Sequence, residues 1–124
     1  MIEFKDLTKK FPGGKIAVDS LNLTFNDGEF IVFIGTSGSG KTTSMRMINR
    51  MIEPSSGEIL IDGKNIKDMN AVELRRRIGY VIQQIGLMPH MTIFENIVMV
   101  PKLLKWPVEK QRKIAEELIQ KVDL

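Results

Sequence analysis

The chain has 124 residues, 43% hydrophobic and 6% aromatic, with a formal charge of +3, which is at most one domain, with enough apolar material for a core. The absence of cysteine excludes a disulfide framework and a thiolate metal site. Basic and acidic residues are interleaved throughout, and the densest basic cluster, Arg75 to Arg77, reads as a solvated helix end in preference to an acidic partner's contact, so no nucleic-acid footprint is predicted.

The N-terminal "MIEFKDLTKKF" is charged within its first residues, unlike a secretory signal. No apolar run approaches the roughly 20 residues of a membrane span, so a cytoplasmic location is expected. Ile2, Phe4 and Leu7 fall in near-alternation and predict an amphipathic strand. "PGGK", Pro12 to Lys15, is a turn by composition. "IAVDSLNLTFN" alternates again through Ala17 or Val18, Leu21, Leu23 and Phe25, so the two segments predict an antiparallel pair with one wet face. "FIVFI", Phe30 to Ile34, is apolar without a break and predicts a strand covered on both faces.

Beyond a glycine-rich loop, Met45, Ile48, Met51 and Ile52 keep helical spacing and predict a helix from about Lys41 to about Ile52, stopped by "EPSSG". "EILIDG" predicts a short strand turning at Asp62-Gly63, and Ala71 to Arg77 one or two helical turns. "IGYVI" predicts a second covered strand. From Pro89 onward the patterns are helical; Pro107 suits a first helical turn, and Ile114, Ala115, Leu118, Ile119 and Val122 form an apolar stripe. The eight methionines read as core filler. There is no internal repeat or low-complexity tract.

The loop itself is "GTSGSGKT", Gly35 to Thr42, between a predicted strand and a predicted helix. That order gives the G-x-x-x-x-G-K-[ST] pattern its meaning. Gly35, Gly38 and Gly40 permit backbone conformations closed to other residues, so that successive amides can face a phosphate at the positive end of a helix. Lys41 adds a point charge and the Thr42 hydroxyl a magnesium ligand. The predicted nucleotide-binding residues are therefore Gly35, Thr36, Ser37, Gly38, Ser39, Gly40, Lys41, Thr42 and Thr43. The loop alone implies a nucleoside triphosphate; many chemistries share it.

Downstream, "IGYVIQQIGLMPHMTIFENI", Ile78 to Ile97, resembles the segment of ATP-binding cassette (ABC) transporter ATPases in which a strand ends in the Q-loop glutamine and a helical subdomain begins. Gln83 matches that glutamine, whereas Gln84 occupies a position the family varies. Phe11 stands where the family places an aromatic that stacks on adenine, often tyrosine, and Thr36 replaces a proline common there. "GEILIDGKNI" resembles the family's strand and turn after the first helix. "MINRMIEPSSGEILIDG", "VELRRRIGYVIQQIGLMPHMTI" and "VPKLLKWP" are most similar to the compatible-solute importer ATPases for glycine betaine, carnitine and choline. The resemblance spans the chain.

It implies an α/β fold, the P-loop nucleoside triphosphatase of ABC type: an N-terminal antiparallel β subdomain, an incomplete sheet, and the start of a helical subdomain. The expected division is 1–88, nucleotide-binding core, and 89–124, helical subdomain. It further implies ATP and magnesium as ligands, with Thr42 and Gln83 on the metal. The expected partners are a transmembrane permease, a second ATPase subunit as a homodimer, and indirectly a solute-binding protein. The subunit would then lie on the inner face of the plasma membrane. His90, in the "PH" pair, is not where the family keeps its catalytic histidine and reads as structural; Trp106 reads as packing.

The family also uses an "LSGGQ"-type signature, an acidic strand end with a catalytic glutamate, and a switch histidine. These 124 residues contain no "SGGQ" and no apolar run ending in Asp-Glu. The resemblance therefore makes the chain an N-terminal, truncated part of a longer ATPase, inactive alone because no base is positioned for water. Its uncovered strands are expected to drive self-association. The alternatives are a non-catalytic nucleotide-binding module and a different P-loop enzyme, a nucleotide kinase or GTPase.

Overall fold

A computed structural model describes residues 1–123. They fall into two compact units, Met1–Gly79 and Tyr80–Leu124. In the first, β1 (Ile2–Lys10) and β2 (Ile16–Phe25) form the predicted antiparallel pair. Their turn is closed by the Phe11 N–H donating to Lys15 O at 2.8 Å and the Gly14 N–H to Phe11 O at 3.1 Å. β3 (Ser56–Ile61) pairs with the other edge of β1, and β4 (Lys64–Asn65) with β3, giving an antiparallel sheet of order β2-β1-β3-β4.

The three-residue steps from Phe4 to Leu7 and from Val18 to Leu21 break the period of two, and the structure shows why. Asp6 and Ser20 take φ of 47° and 46°, and the β1–β2 register shifts between Phe4 and Leu7. An extra residue in each strand returns Leu7 and Leu21 to the core side. Asn22 serves the displaced backbone: its Oδ1 accepts from the Asp6 N–H at 2.9 Å and its Nδ2 donates to Asp6 Oδ1 at 2.8 Å. The Ser20 N–H donates to Thr8 Oγ1 at 2.9 Å. Gly57 of β3 lies against the same bulge with φ 77°, where a Cβ would overlap the Asp6 carbonyl oxygen.

Helix α1 (Lys41–Ile48), a 3-10 turn at Ile66–Asp68 and α2 (Ala71–Arg76) contribute the rest of the core. Phe4, Leu7, Val18, Met47, Ile59, Ile66 and Leu74 are buried there, each worth on the order of 2 kcal/mol in removed apolar surface. Phe25 meets Phe4 edge-on, with centroids 5.2 Å apart. Of the methionines only Met47 belongs to this buried set; Met1, Met45, Met51, Met88 and Met91 are exposed, so core filling does not account for most of them.

Two expectations are corrected. α1 ends at Ile48, four residues before the expected Ile52. Arg50 takes φ 55°, and the Arg50 and Met51 N–H groups turn back to Met47 O and Arg46 O at 3.1 and 2.9 Å, the hydrogen-bond pair of a Schellman stop. Phe30–Ile34 and Ile78–Ile82 belong to no strand. Phe30, Ile34 and Val81 are more than 90% exposed. In the first run only Phe33 is tucked in, 6.0 Å from Phe25, and in the second Ile78 packs against the core while Tyr80 is half-buried. A parallel strand takes its ladder and its cover from neighbouring segments, and no described segment pairs with either run.

In the second unit, α3 (Ile93–Leu103) and α4 (Val108–Lys121) pack together with Val98 and Ala115 buried. Pro107 is the N-cap of α4. Within the predicted stripe, Ala115 is buried and Ile114 and Ile119 are half-buried, whereas Leu118 and Val122 are exposed. Trp106 stacks under the Lys110 ammonium, 4.0 Å from the ring centroid, and its carbonyl accepts from Gln111 Nε2 at 2.7 Å. Asn96 buckles the preceding turn: Oδ1 accepts from the Met88 N–H at 2.7 Å, and Nδ2 donates to the carbonyls of Met88, Met91 and Thr92. Among the described residues no helix is long and apolar enough to cross a membrane.

Thr92 and Glu95 form a capping box at the start of α3. The Thr92 N–H, and then its hydroxyl, donate to Glu95 and hold its carboxyl below the usual range. Because the folded value lies below the unfolded one, the contribution is complete above about pH 4.3 and is lost as pH falls through the lowered value. Thr92→Ala is expected to cost about 1 kcal/mol, and Glu95→Gln to keep the cap but lose its acid-side dependence. Helical circular dichroism followed through an acid titration checks both.

Candidate functional site

The site grows from the first turn of α1. Gly40 is its N-cap in the left-handed region, φ 91°, with no side-chain cap and no acidic residue in the first turn. The first helical hydrogen bond runs from the Ser44 N–H to Gly40 O at 2.8 Å, and the Ser44 hydroxyl donates to the same oxygen at 2.9 Å. The amides of Lys41, Thr42 and Thr43 therefore precede the helical ladder and form its positive end. Ahead of them the loop folds on itself through the Ser39 N–H donating to Thr36 O at 3.2 Å, with Gly38 at φ 80°.

Lys41 organises this loop. Its ammonium donates to Gly35 O at 2.6 Å, to Thr36 O at 2.7 Å and to Ser39 Oγ at 3.0 Å. Three acceptors match its three donors. The charge is thereby held at the loop and not released along the flexible stem into solvent. Thr36, Ser37, Gly38, Ser39 and Thr42 are exposed, and Thr43 is half-buried. The donor set of helix-end amides, one ammonium and adjacent hydroxyls is chemically suited to a polyphosphate and an accompanying hard cation.

The loop is seated on the sheet by contact between backbones. A Cβ on Gly40 would overlap the Ala17 carbonyl oxygen and stand 3.3 Å from Val18 Cγ2. Ala17 lies just past the hairpin turn that carries Phe11, since Ile16 pairs with Lys10. The glycine loop and the Phe11 turn are thus brought to one end of the β1–β2 pair. Phe11 is half-buried, and Lys9 Nζ sits over its ring at 5.3 Å while donating to Glu53 O at 2.8 Å. Gln83 belongs to the second unit, on an exposed bend and not at a strand end. His90 is exposed in a turn.

The far end of α1 holds what the sequence reading missed. Arg75 is no freely solvated side chain: its Nε donates to Asn49 O at 3.0 Å and its Nη2 to Arg50 O at 2.7 Å. Arg50 in turn donates through Nη1 to Ile66 O at 3.3 Å and Met69 O at 2.9 Å, and pairs with Glu53 at 3.0 Å. The acceptors are main-chain carbonyls, so no residue type marks them in the sequence.

The family model described as ABC transporter matches residues 18–124. Over its full length the chain is 61% identical to the glycine betaine/carnitine/choline transport ATP-binding protein of Bacillus subtilis and covers 33% of it. It is 55% identical over 128 aligned residues to the osmoprotectant import ATP-binding protein of Salmonella typhimurium, covering 34%. The chain thus spans about a third of the length of the curated relatives it matches. A solved dimeric ATP-binding cassette in a post-hydrolysis state, bound to ADP and Pi, matches with a TM-score of 0.84 and 35% identity, all of this chain against 58% of that one.

The seat of Gly40 makes a direct prediction. Gly40→Ala is expected to destabilise the first unit by about 2 kcal/mol, from a side chain forced both to positive φ and onto a carbonyl. Gly63→Ala, positive in φ but in open space, should cost less. Paired thermal melts of the two variants check the order.

Proposed function

The chain belongs to the ABC transporter family, and on that premise we propose that it is the phosphate-binding portion of the ATP-binding, energy-coupling subunit of an osmoprotectant importer of the glycine betaine, carnitine and choline type. The observation that carries the proposal is the Lys41 ammonium fixed by Gly35 O, Thr36 O and Ser39 Oγ at an uncapped helix start. Magnesium ATP, when bound, supplies the phosphoryl group whose transfer to water powers transport. The amides of Gly38 and of Gly40 to Thr43 and the Lys41 ammonium would hold the phosphates, with Gly35, Thr36, Ser37 and Ser39 shaping the loop around them. The Thr42 hydroxyl would ligate the magnesium, and the resemblance assigns Gln83 the same role. Phe11, with Lys9 over one face, offers the other face to the base.

The partners in this reading are a transmembrane permease, a second ATPase subunit and, through the permease, a solute-binding protein; the subunit works at the cytoplasmic face of the membrane. The identity to importer subunits over all 124 residues supports it. Residues 1–88 would serve the nucleotide core and 89–124 begin the helical subdomain. As an isolated 124-residue polypeptide the chain is proposed to bind ATP without turning it over.

Calorimetric titration with magnesium ATP tests the reading. Lys41→Ala is expected to weaken binding at least about tenfold, the worth of a charge-assisted contact, with no phosphate release above background from either protein. Affinity unchanged in Lys41→Ala sinks the proposed site. GTP bound more tightly than ATP would point to a different P-loop enzyme, and robust turnover would overturn the inactivity of the isolated chain.

The exposed apolar residues of Phe30–Ile34 and, in Ile78–Ile82, Val81 and Ile82 support self-association of the isolated chain, as uncovered apolar segments recruit other chains. Sedimentation at micromolar concentration is expected to show species larger than the 14.1 kDa monomer; a single monomeric boundary refutes it.

A further inference from the structure

α1 spans eight residues, too few to be stable by propensity and hydrogen bonding alone. Its N-terminal end has no side-chain cap. Its C-terminal end is gripped twice, in opposite directions. The Arg75 guanidinium reaches from α2 to Asn49 O and Arg50 O, and the Arg50 guanidinium reaches from the end of α1 to Ile66 O and Met69 O beside α2. Arg75 supplies both a positive charge at the negative end of the helix dipole and a planar pair of donors to adjacent carbonyls. Two further anchors fix the helix along its length: Met47 is fully buried, and Gly40 lies on the Ala17 carbonyl. A rigid rod of about 12 Å clamped at its tail has little freedom at its head.

We propose that Arg75 is a positioning residue for the phosphate loop: by clamping the tail of α1 it fixes where Gly40, Lys41 and the following amides stand. The inference rests on the reading of Gly35 to Thr43 as the phosphate site. Arg75 touches no ligand in this role and acts through the helix. A lysine in its place keeps the charge but cannot reach both carbonyls with one planar group.

The test compares wild type with Arg75→Gln, Arg75→Lys and the neighbouring control Arg76→Gln, which removes the same charge from an exposed side chain. Two readouts are taken on protein shown to be folded by circular dichroism: magnesium ATP affinity, and exchange of the Ser44 amide, whose acceptor is Gly40 O, without nucleotide. Arg75→Gln is expected to weaken ATP binding about fivefold, within the range of couplings carried through packed elements, and to speed Ser44 exchange. Arg75→Lys should fall between it and wild type, and Arg76→Gln should match wild type. If Arg75→Gln does not fold, Arg75→Lys against Arg76→Gln carries the comparison. Variants that melt earlier yet keep wild-type Ser44 exchange and ATP affinity overturn the proposal and leave Arg75 a stabilising contact only. Should wild type bind no ATP, the nucleotide reading fails, while Ser44 exchange still decides whether Arg75 sets the helix start.

Discussion

The contact on which the rest depends is the seat of Gly40 on the Ala17 carbonyl, where no Cβ fits. It joins the helix that begins at Lys41 to the sheet, and it does so beside the turn that presents Phe11. A helix start left without a side-chain cap sacrifices stabilisation that Ser, Thr, Asp or Asn would give, on the order of 1 kcal/mol. Gly40 in the left-handed region keeps those amides free, and stability is recovered elsewhere: in the buried Met47, in the Ser44 hydroxyl on Gly40 O, and in the two arginines at the tail. The division is physical. Donors left unsatisfied at a helix start add nothing to its stability, so the helix is held by contacts made away from them.

The parts legible in the sequence are those whose chemistry is local. The loop was readable because glycine, lysine and hydroxyl positions within eight residues specify it, and the hairpin because alternation and a Pro-Gly turn are neighbours in sequence. The bulges were half legible. Three-residue steps from Phe4 to Leu7 and from Val18 to Leu21 violate the strand period, and each marks one inserted residue. The end of α1 was misplaced for an instructive reason: Ile52 still packs against the core after the helix has stopped, so apolar spacing continues although helical hydrogen bonding does not. Arg75 was illegible because its acceptors are backbone oxygens 26 and 25 residues away. Any residue at those positions offers the same oxygen.

The run Phe30–Ile34 separates two things that hydrophobicity conflates. An unbroken apolar pentapeptide states a demand for cover, whereas a strand requires a partner that completes its ladder. Here Phe33 alone finds a neighbour, on Phe25, while Phe30 and Ile34 on either side of it remain 92% and 93% exposed. The same holds for Val81 at 92%. The antiparallel pair β1–β2, by contrast, brings its own partner within a few residues and forms as read.

Lys41 shows how one side chain can serve both loop order and ligand chemistry. With its three donors spent on Gly35 O, Thr36 O and Ser39 Oγ, the ammonium braces a stretch whose glycines leave its backbone permissive. A polyphosphate oxygen offers a stronger, charged acceptor than a carbonyl or hydroxyl. Exchanging one of these bonds for a phosphate contact therefore gains more than it forfeits, while the remaining bonds keep the loop in register. The brace that orders the loop is thus also the charge it presents, and the ordering entropy is met largely before any ligand arrives.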